Sequence, residues 1–385
     1  MKLRRCATVM LEPRETLVFD FDDLLSGGSG AKRSFAWIAL VPHLGREVEL
    51  SCDEMTALAA FSEAQWRERD EIRADAAALA GLIEKGLVLS DADEYAALRE
   101  RDQAVRDQHW LPAAAASHYF TRWSGVDSDP ENAPPGYDSM RELIAKLGVP
   151  PAAIVSRLDA AQRLPLPSAA ATGFDALLGR RVTCRNFDQD RSLPITTLGH
   201  MLERVFAAQA IHGTEHGEEV VKKNHPSGGG LHPIEAYLVI RRVEGVADGL
   251  YHYHAADRAL EPLPGVEDIE DFARRCVGGQ RYFAQAPVLV VMAARFERSF
   301  WKYRRHAKAY RAVLLEAGHA SQNLYLSATE LGLGAFITAA INEKEIEAAF
   351  GLDPLQQGVL CVNGFGYRGT ERVTVEFDPL HKVWA

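Results

Sequence analysis

The spacing of apolar residues predicts one long helix in the C-terminal half of the chain. Apolar side chains recur at intervals of three and four residues, at Val313, Ala317, Ala320, Leu324, Ala328 and Leu331. This period places them on one face of a helix. We therefore predict a helix over residues 305–333, ended by Gly332 and Gly334, because glycine readily adopts the left-handed conformation that ends a helix.

A second pattern, near the N-terminus, predicts two short helices and a strand. The segment from Ser51 to Glu54 has the spacing of a helix capping box, and the apolar positions that follow it fit a first helix. A second helix is predicted from Ile72 to Ile83 and a strand over residues 87–89. Because this order is similar to that of a winged-helix domain, we predict a winged-helix-like domain over residues 1–125.

Between residues 126 and 172 the sequence is rich in proline, alanine, glycine and serine. Its clearest breaks are at residues 133–136 and 165–168, and one amphipathic helix is predicted over residues 139–147. A helix inside such a segment indicates a linker that packs against the protein and is not a free tether.

Three consecutive glycines, residues 228–230, follow Pro226 and Ser227 and precede a strand-like run over residues 235–240. Without side chains, the backbone amides of such a turn can approach a flat ring or an anion. The alternative interpretation is a tight structural corner. We call residues 226–230 the glycine loop.

A possible anion site precedes the glycine loop. Arg181, Thr183 and Arg185 alternate along the chain, so they project to one side if the segment is extended. Guanidinium groups offer forked donors that match phosphate oxygens, and the hydroxyl adds a further donor. We call these three residues the phosphate triplet, and we predict that they bind a phosphate. The alternative interpretation is a surface ion pair at a helix end.

The phosphate triplet, the glycine loop and the long helix, followed by an apolar run at residues 359–366, resemble the nitroreductase superfamily of flavoenzymes. Lys302 and Tyr303, just ahead of the long helix, are similar to a pair in the azoline dehydrogenases of the SagB and ThcOx type. Those enzymes oxidise thiazolines and oxazolines in ribosomally made peptides. The resemblance covers roughly residues 175–385 and implies an α+β catalytic domain over residues 173–385, with a mainly antiparallel sheet flanked by helices.

The resemblance also implies that FMN is bound in a cleft at the interface of a homodimer. The phosphate triplet and Arg368 would contact the phosphate, the glycine loop would lie along the flavin ring, and a backbone amide after the long helix would meet flavin N5. The implied FMN-binding residues are Arg181, Thr183, Arg185, Pro226, Ser227, Gly228, Gly229, Gln322, Ala339, Ala340 and Arg368. Ala339 replaces the glutamate of many nitroreductases, which predicts a less acidic pocket.

The resemblance implies that Lys302 and Tyr303 form the proton acceptor, while flavin N5 accepts hydride. Both lie in residues 295–311, which contain seven Lys or Arg and one glutamate. An unperturbed lysine is protonated at neutral pH. Neighbouring cations and partial burial would therefore have to favour the neutral amine of Lys302. A solvated basic helix face is the alternative interpretation of this run.

The implied function is FMN-dependent oxidation of azoline rings to thiazole or oxazole in a modified precursor peptide. One alternative is an NAD(P)H-dependent nitroreductase or quinone reductase. Another is a non-catalytic scaffold that activates a partner cyclodehydratase. The N-terminal domain is either a packing or dimerisation domain or a module that helps to hold the peptide, for example by strand addition. Twelve acidic and five basic residues between positions 50 and 100 argue against DNA binding there.

The composition limits the possible binding partners and the cellular compartment of the protein. A formal net charge of -10 argues against general binding to nucleic acid or to an anionic membrane. Five scattered cysteines without a C-x-x-C pair favour the cytoplasm, and no signal peptide or membrane span is predicted. No metal site is predicted either, because His212 and His216 lie among glycines, while His225 and His232 are expected to touch the substrate or the flavin ring.

Overall fold

The structure is a computed structural model that describes residues 1–129, 132 and 139–384. The strands are β1 Lys2–Arg5, β2 Met10–Phe19, β3 Ala31–Val41, β4 Arg46–Leu50, β5 Arg67–Glu68, β6 Val88–Ser90, β7 Leu193–Pro194, β8 Ala210–Gly213, β9 Glu219–Lys222, β10 Ile234–Ile240, β11 Val243–Glu244, β12 Gly249–His254, β13 Ala259–Pro262, β14 Val288–Arg295, β15 Gly334–Thr338 and β16 Gln357–Gly366. The helices are α1 Phe21–Leu25, α2 Cys52–Leu58, α3 Ala76–Glu84, α4 Ala96–Asp107, α5 Pro112–Phe120, α6 Met140–Leu147, α7 Gly173–Arg180, α8 Ile195–Val205, α9 Ile269–Cys276, α10 Arg281–Ala284, α11 Phe296–Phe300, α12 Ala309–Glu330 and α13 Glu343–Phe350.

The chain forms two compact units. Unit 1 comprises Met1–Arg122, Arg295–Val313 and Asp353–Gln357, and unit 2 comprises the rest of the described chain. The domain boundaries derived from the sequence stay predictions. No helix in the described residues has the length and apolar character needed to cross a membrane.

Unit 1 contains two three-stranded sheets, with the strand orders β5-β1-β6 and β2-β3-β4. The predicted order of helix, helix and strand is confirmed in α2, α3 and β6, and Ser51 and Glu54 form the predicted capping box at the start of α2. The second helix begins at Ala76 rather than at Ile72, because the Asp75 side chain accepts the amide hydrogens of the first turn. Leu79 and Leu82 of α3 lie in the core of this unit.

Unit 2 is built around a six-stranded sheet with the order β13-β12-β10-β14-β16-β15. The pairs β13–β12, β12–β10, β10–β14 and β15–β16 are antiparallel, which confirms the predicted α+β class with a mainly antiparallel sheet. Every residue of β14 from Val288 to Ala294 is buried. Because successive strand residues point to opposite faces, both faces of this strand are covered. Phe283 of α10 stacks on Phe336 of β15, with ring centroids 4.0 Å apart.

The long helix α12 is shorter than predicted and runs from Ala309 to Glu330. It begins at Ala309, four residues after the predicted start, because Arg305 has a left-handed φ of 50° that a helix does not accommodate. At the other end, Gly332 has a φ of 72°, and the Leu333 amide donates to the Ala328 carbonyl oxygen at 2.8 Å. The predicted glycine-terminated end is therefore confirmed at Gly332, whereas Gly334 is the first residue of β15.

The segment before α7 contains the predicted short helix. Ser139 caps α6 by accepting the amide hydrogen of Glu142, and residues 149–172 are exposed. The break predicted at residues 133–136 lies outside the described residues. Packing of this linker against another surface stays a prediction.

Candidate flavin site

Tyr325 of α12 brings together two of the segments that the sequence links to FMN. Its hydroxyl oxygen lies 3.1 Å from Thr183 Oγ1 and accepts the Ile337 amide hydrogen at 3.1 Å. The Arg181 guanidinium lies 5.3 Å from the centroid of the same ring. The start of the phosphate triplet and the strand that leads to Ala339 therefore meet at one position of α12.

The phosphate triplet shows the predicted alternation. Arg181, Thr183 and Arg185 are partly exposed, and the residues that alternate with them are buried: Val182, Cys184 and Asn186. The Arg185 guanidinium donates to the Val375 carbonyl oxygen at 2.9 Å. Arg185 thus contacts the C-terminal tail, whereas Arg181 and Thr183 lie beside Tyr325.

The buried carboxylate of Glu376 fixes the C-terminal tail to the phosphate triplet. It accepts the backbone amide hydrogens of Arg185 at 2.5 Å and Asn186 at 3.0 Å, and it forms an ion pair with Arg368. Arg368 also donates to the Val182 carbonyl oxygen at 3.4 Å. Arg368, the predicted second phosphate contact, therefore lies next to the phosphate triplet. The positive charge of Arg368 is balanced by Glu376.

The glycine loop presents exposed backbone. Gly229 and Gly230 have φ values of 71° and 70°, a conformation that residues with a Cβ rarely adopt. Ser227 Oγ donates to the Glu316 carboxylate and accepts the His232 amide hydrogen at 2.8 Å. The side chain of Ser227 thus faces the protein, while Gly229 and Gly230 are exposed to solvent.

Two histidines flank the glycine loop and lie against helix α12. The rings of His225 and His232 have centroids 5.3 Å apart, and His232 Nδ1 lies 3.7 Å from Glu316 Oε1. All three side chains are buried. Burial lowers the pKa of His225 to about 4, although the neighbouring Glu316 charge acts in the opposite direction.

Gln322, Ala339 and Ala340 complete the predicted cofactor residues. Gln322 is exposed on α12 and Ala339 is exposed after β15. The Ala340 amide already donates to Thr338 Oγ1 at 3.1 Å. Ala339 is therefore the better candidate for a backbone contact with a ligand.

Lys302 and Tyr303 belong to unit 1 and follow α11 directly. Lys302 is exposed, and its amine lies 5.6 Å from the centroid of the Tyr303 ring. The Tyr303 amide donates to the Ser299 carbonyl oxygen at 3.0 Å. The partial burial expected for Lys302 is not found, because the turn after α11 projects its side chain into solvent.

The donors of unit 2 fit the chemistry of FMN. Arg181 and Thr183 offer a guanidinium and a hydroxyl suited to a phosphate, and the glycine loop offers accessible backbone suited to a flat ring. Helix α12 contacts both groups of residues: Tyr325 lies against Thr183 of the phosphate triplet, and Glu316 accepts a hydrogen bond from Ser227 of the glycine loop. Glu316 and Tyr325 are nine positions apart, which corresponds to about 13.5 Å along a helix.

Sequence reasoning did not identify Glu316, Tyr325 or Glu376. Glu316 carried a signal, because a carboxylate lies among the apolar positions Val313, Ala317 and Ala320 of α12. A charged residue within an apolar face is rarely buried unless it has a partner or a function.

Comparison with known proteins identifies the family. Residues 178–367 match the model of the nitroreductase family. MJ1384 of Methanocaldococcus jannaschii, which is named as a nitroreductase, is 32% identical over 187 residues, covering 48% of this chain and 86% of that protein. The chain belongs to the nitroreductase family, as the sequence resemblance predicted.

Two further relatives are named for the processing of trifolitoxin and of microcin B17. The trifolitoxin-processing protein TfxB of Rhizobium leguminosarum bv. trifolii is 30% identical over 150 residues, which cover 37% of this chain and 39% of TfxB. The microcin B17-processing protein McbC of Escherichia coli is 28% identical over 185 residues, which cover 47% of this chain and 65% of McbC. The chain thus spans less than two thirds of the length of either relative.

Proposed function

We propose that the chain is an FMN-dependent dehydrogenase that oxidises thiazoline or oxazoline rings in a ribosomally made peptide. Its similarity to two proteins named for the processing of trifolitoxin and microcin B17 is the observation that carries this proposal. The donor groups of unit 2 that fit FMN also support it, as does the presence of the Lys302–Tyr303 pair, in which Lys302 is exposed and Tyr303 is half-buried. A nitroreductase fed by nicotinamide is the second candidate, because MJ1384 is matched over most of its length.

The residues of unit 2 would bind and orient the cofactor. Arg181 and Thr183 would hold the phosphate, and Arg368 would offer a guanidinium donor beside them, although its charge is paired with Glu376. The backbone of the glycine loop would lie against the ring, and the Ala339 amide would donate to its N5 edge. FMN, when bound, supplies the two-electron acceptor of the reaction.

Lys302 would remove the acidic proton of the azoline ring. The amine must be neutral to do so, and binding of a peptide over this exposed side chain would disfavour its charged form through desolvation. Tyr303 would share or relay the proton through its hydroxyl. The substrate loses one proton and one hydride in total, so the azoline becomes an aromatic azole.

We also propose that the protein is a homodimer and acts on a precursor peptide supplied by a partner cyclodehydratase. Val373, Val375 and Phe377 are 85%, 73% and 81% exposed and alternate with residues that face the protein. Such a contiguous apolar row is typical of an interface. We expect light scattering to give a dimer for the wild type and a monomer for Phe377→Asp. A monomeric wild type would contradict the dimer.

A synthetic peptide with a single thiazoline tests the proposed activity. We expect the FMN-loaded protein to convert it to the thiazole, detected by mass spectrometry as the loss of two hydrogen atoms. Lys302→Ala should reduce the rate at least about 100-fold, because a positioned general base contributes about that factor or more. Lys308→Ala, which changes another exposed lysine of the same basic run, is the matched control and should retain the rate.

Two results would favour the alternatives. Rapid reduction of the flavin by NADPH or NADH, with the peptide unchanged, would support a nitroreductase or quinone reductase. A non-catalytic scaffold would be supported by a different pair of results in the presence of the cyclodehydratase. Deletion of the protein would abolish peptide modification, and the Lys302→Ala variant would restore it fully.

A further inference from the structure

Three buried polar atoms of unit 2 face one another without a hydrogen-bond partner. They are His225 Nε2, His232 Nδ1 and Glu316 Oε1, and within the described residues none of them has a partner. The three residues are 3%, 7% and 1% exposed. Their candidate ligand atoms all lie within 4.8 Å of one another. An unsatisfied buried polar atom is destabilising, so three that face one another are best explained by a ligand that binds all of them.

Two further polar atoms of these residues, one on His225 and one on Glu316, have partners outside the cluster. His225 Nδ1 lies 3.3 Å from the Pro226 carbonyl oxygen. Because a carbonyl only accepts, this contact puts the ring hydrogen on Nδ1 and leaves the Nε2 lone pair facing the cluster. The second carboxylate oxygen of Glu316 accepts from Ser227 Oγ. Outer hydrogen bonds of this kind orient the ligands of metal sites.

The three groups do not satisfy one another. His232 Nδ1 and Glu316 Oε1 are 3.7 Å apart, which is beyond hydrogen-bond distance. Two neutral imidazoles and one carboxylate form a donor set of charge minus one, which suits a divalent cation. The combination of two histidines and one carboxylate is used for zinc and for non-haem iron.

We propose that His225, His232 and Glu316 bind one divalent transition-metal ion, in first place Zn²⁺, with water as the fourth ligand. Bonds of about 2.0–2.2 Å to a tetrahedral ion separate the ligand atoms by roughly 3.3 Å, so the present separations need to shorten by at most about 1.5 Å. No metal site was predicted at these residues, because nothing in the sequence relates Glu316 to the two histidines. This inference does not depend on azoline oxidation.

The ion would connect both ends of the glycine loop to α12. His225 immediately precedes the loop and His232 follows it by one residue, so a metal bonded to both and to Glu316 would restrict the loop at each end. Its role would be to hold the exposed backbone of Gly229 and Gly230 in one position.

Metal analysis and calorimetry test the proposed site. We expect purified protein to contain one metal ion per chain by mass spectrometry, and protein stripped with a chelator to bind one Zn²⁺ by isothermal titration calorimetry. Loss of an outer hydrogen bond typically weakens metal binding 10–100-fold, so loss of a ligand in Glu316→Gln should weaken it by at least about 100-fold. His212→Ala/His216→Ala changes exposed histidines on the β8–β9 hairpin and is the control, which should bind as the wild type does.

X-ray absorption at the zinc edge keeps the proposal testable if the ligand variants do not fold. For the wild type and for the control variant, we expect two imidazoles and oxygen ligands around the metal. Absence of saturable binding would overturn the proposal, as would a site without two imidazoles or equal affinity in folded Glu316→Gln. The measurements are made with and without FMN, so failure of the metal site is separable from failure of the flavin site.

Discussion

His118 should make the stability of unit 1 dependent on pH. Its Nε2 lies 2.9 Å from the Pro354 carbonyl oxygen, and its Nδ1 lies 3.0 Å from the Tyr310 hydroxyl. Because the carbonyl only accepts, Nε2 carries the ring hydrogen and Nδ1 accepts from Tyr310. The imidazole also stacks on Trp110, with centroids 5.5 Å apart. Burial in these surroundings lowers the pKa of His118 to about 4.

The sign of the effect follows from proton binding in the two states. The unfolded chain titrates at a pKa of about 6.5, so between about pH 6.5 and pH 4 it binds a proton that the folded chain lacks. The contribution of neutral His118 to the free energy of unfolding is therefore fully present above about pH 6.5, and it falls as the solution is acidified. The full contribution is about 3 kcal/mol, of which about 2 kcal/mol should be lost by pH 5.

Urea unfolding followed by tryptophan fluorescence measures this loss at about pH 7 and about pH 5. His118→Gln keeps an amide donor for the Pro354 carbonyl and removes the titration. The stability advantage of the wild type over this variant should shrink by about 2 kcal/mol on acidification. His306→Gln, at an exposed histidine, is the control and should follow the wild type. An equal loss in His118→Gln and the wild type would refute the assignment to His118.

Three further substitutions test the candidate site. Tyr325→Phe removes a hydroxyl that contacts both predicted cofactor segments, so FMN should bind about 5–10-fold more weakly in a fluorescence titration; unchanged affinity would remove Tyr325 from the site. Glu376→Gln leaves Arg368 without its counter-charge and should lower the free energy of unfolding by about 3 kcal/mol in urea, whereas no loss would show that the ion pair contributes little. Gly229→Ala forces a Cβ into a left-handed conformation and should cost about 1–2 kcal/mol in a thermal or urea transition, whereas Gly199→Ala within α8 should not destabilise.

Local patterns in the sequence predicted much of the fold. The apolar period of α12, the capping box at Ser51 and the glycine end at Gly332 depend on neighbours along the chain, and all three are confirmed. The predicted start of α12 was wrong, because the spacing of apolar residues does not reveal the left-handed conformation of Arg305.

Features set by distant contacts were harder to predict. The alternation of Arg181, Thr183 and Arg185 was visible in the sequence, but their support by Tyr325 and Glu376 depends on residues more than a hundred positions away. Glu316 was recognisable as a carboxylate on an apolar helix face. Its partners across the glycine loop were not, because no periodicity relates a loop to a helix that follows it by many residues.

The central claim is that a peptide azoline, and not a nicotinamide, delivers electrons to FMN bound by this chain. The most direct test is the visible absorption of FMN-loaded protein, mixed without oxygen with a single-thiazoline peptide or with NADPH. Our account predicts that the peptide bleaches the flavin band and is recovered as the thiazole, while NADPH leaves the band unchanged. Bleaching by NADPH, with the thiazoline recovered intact, would contradict it.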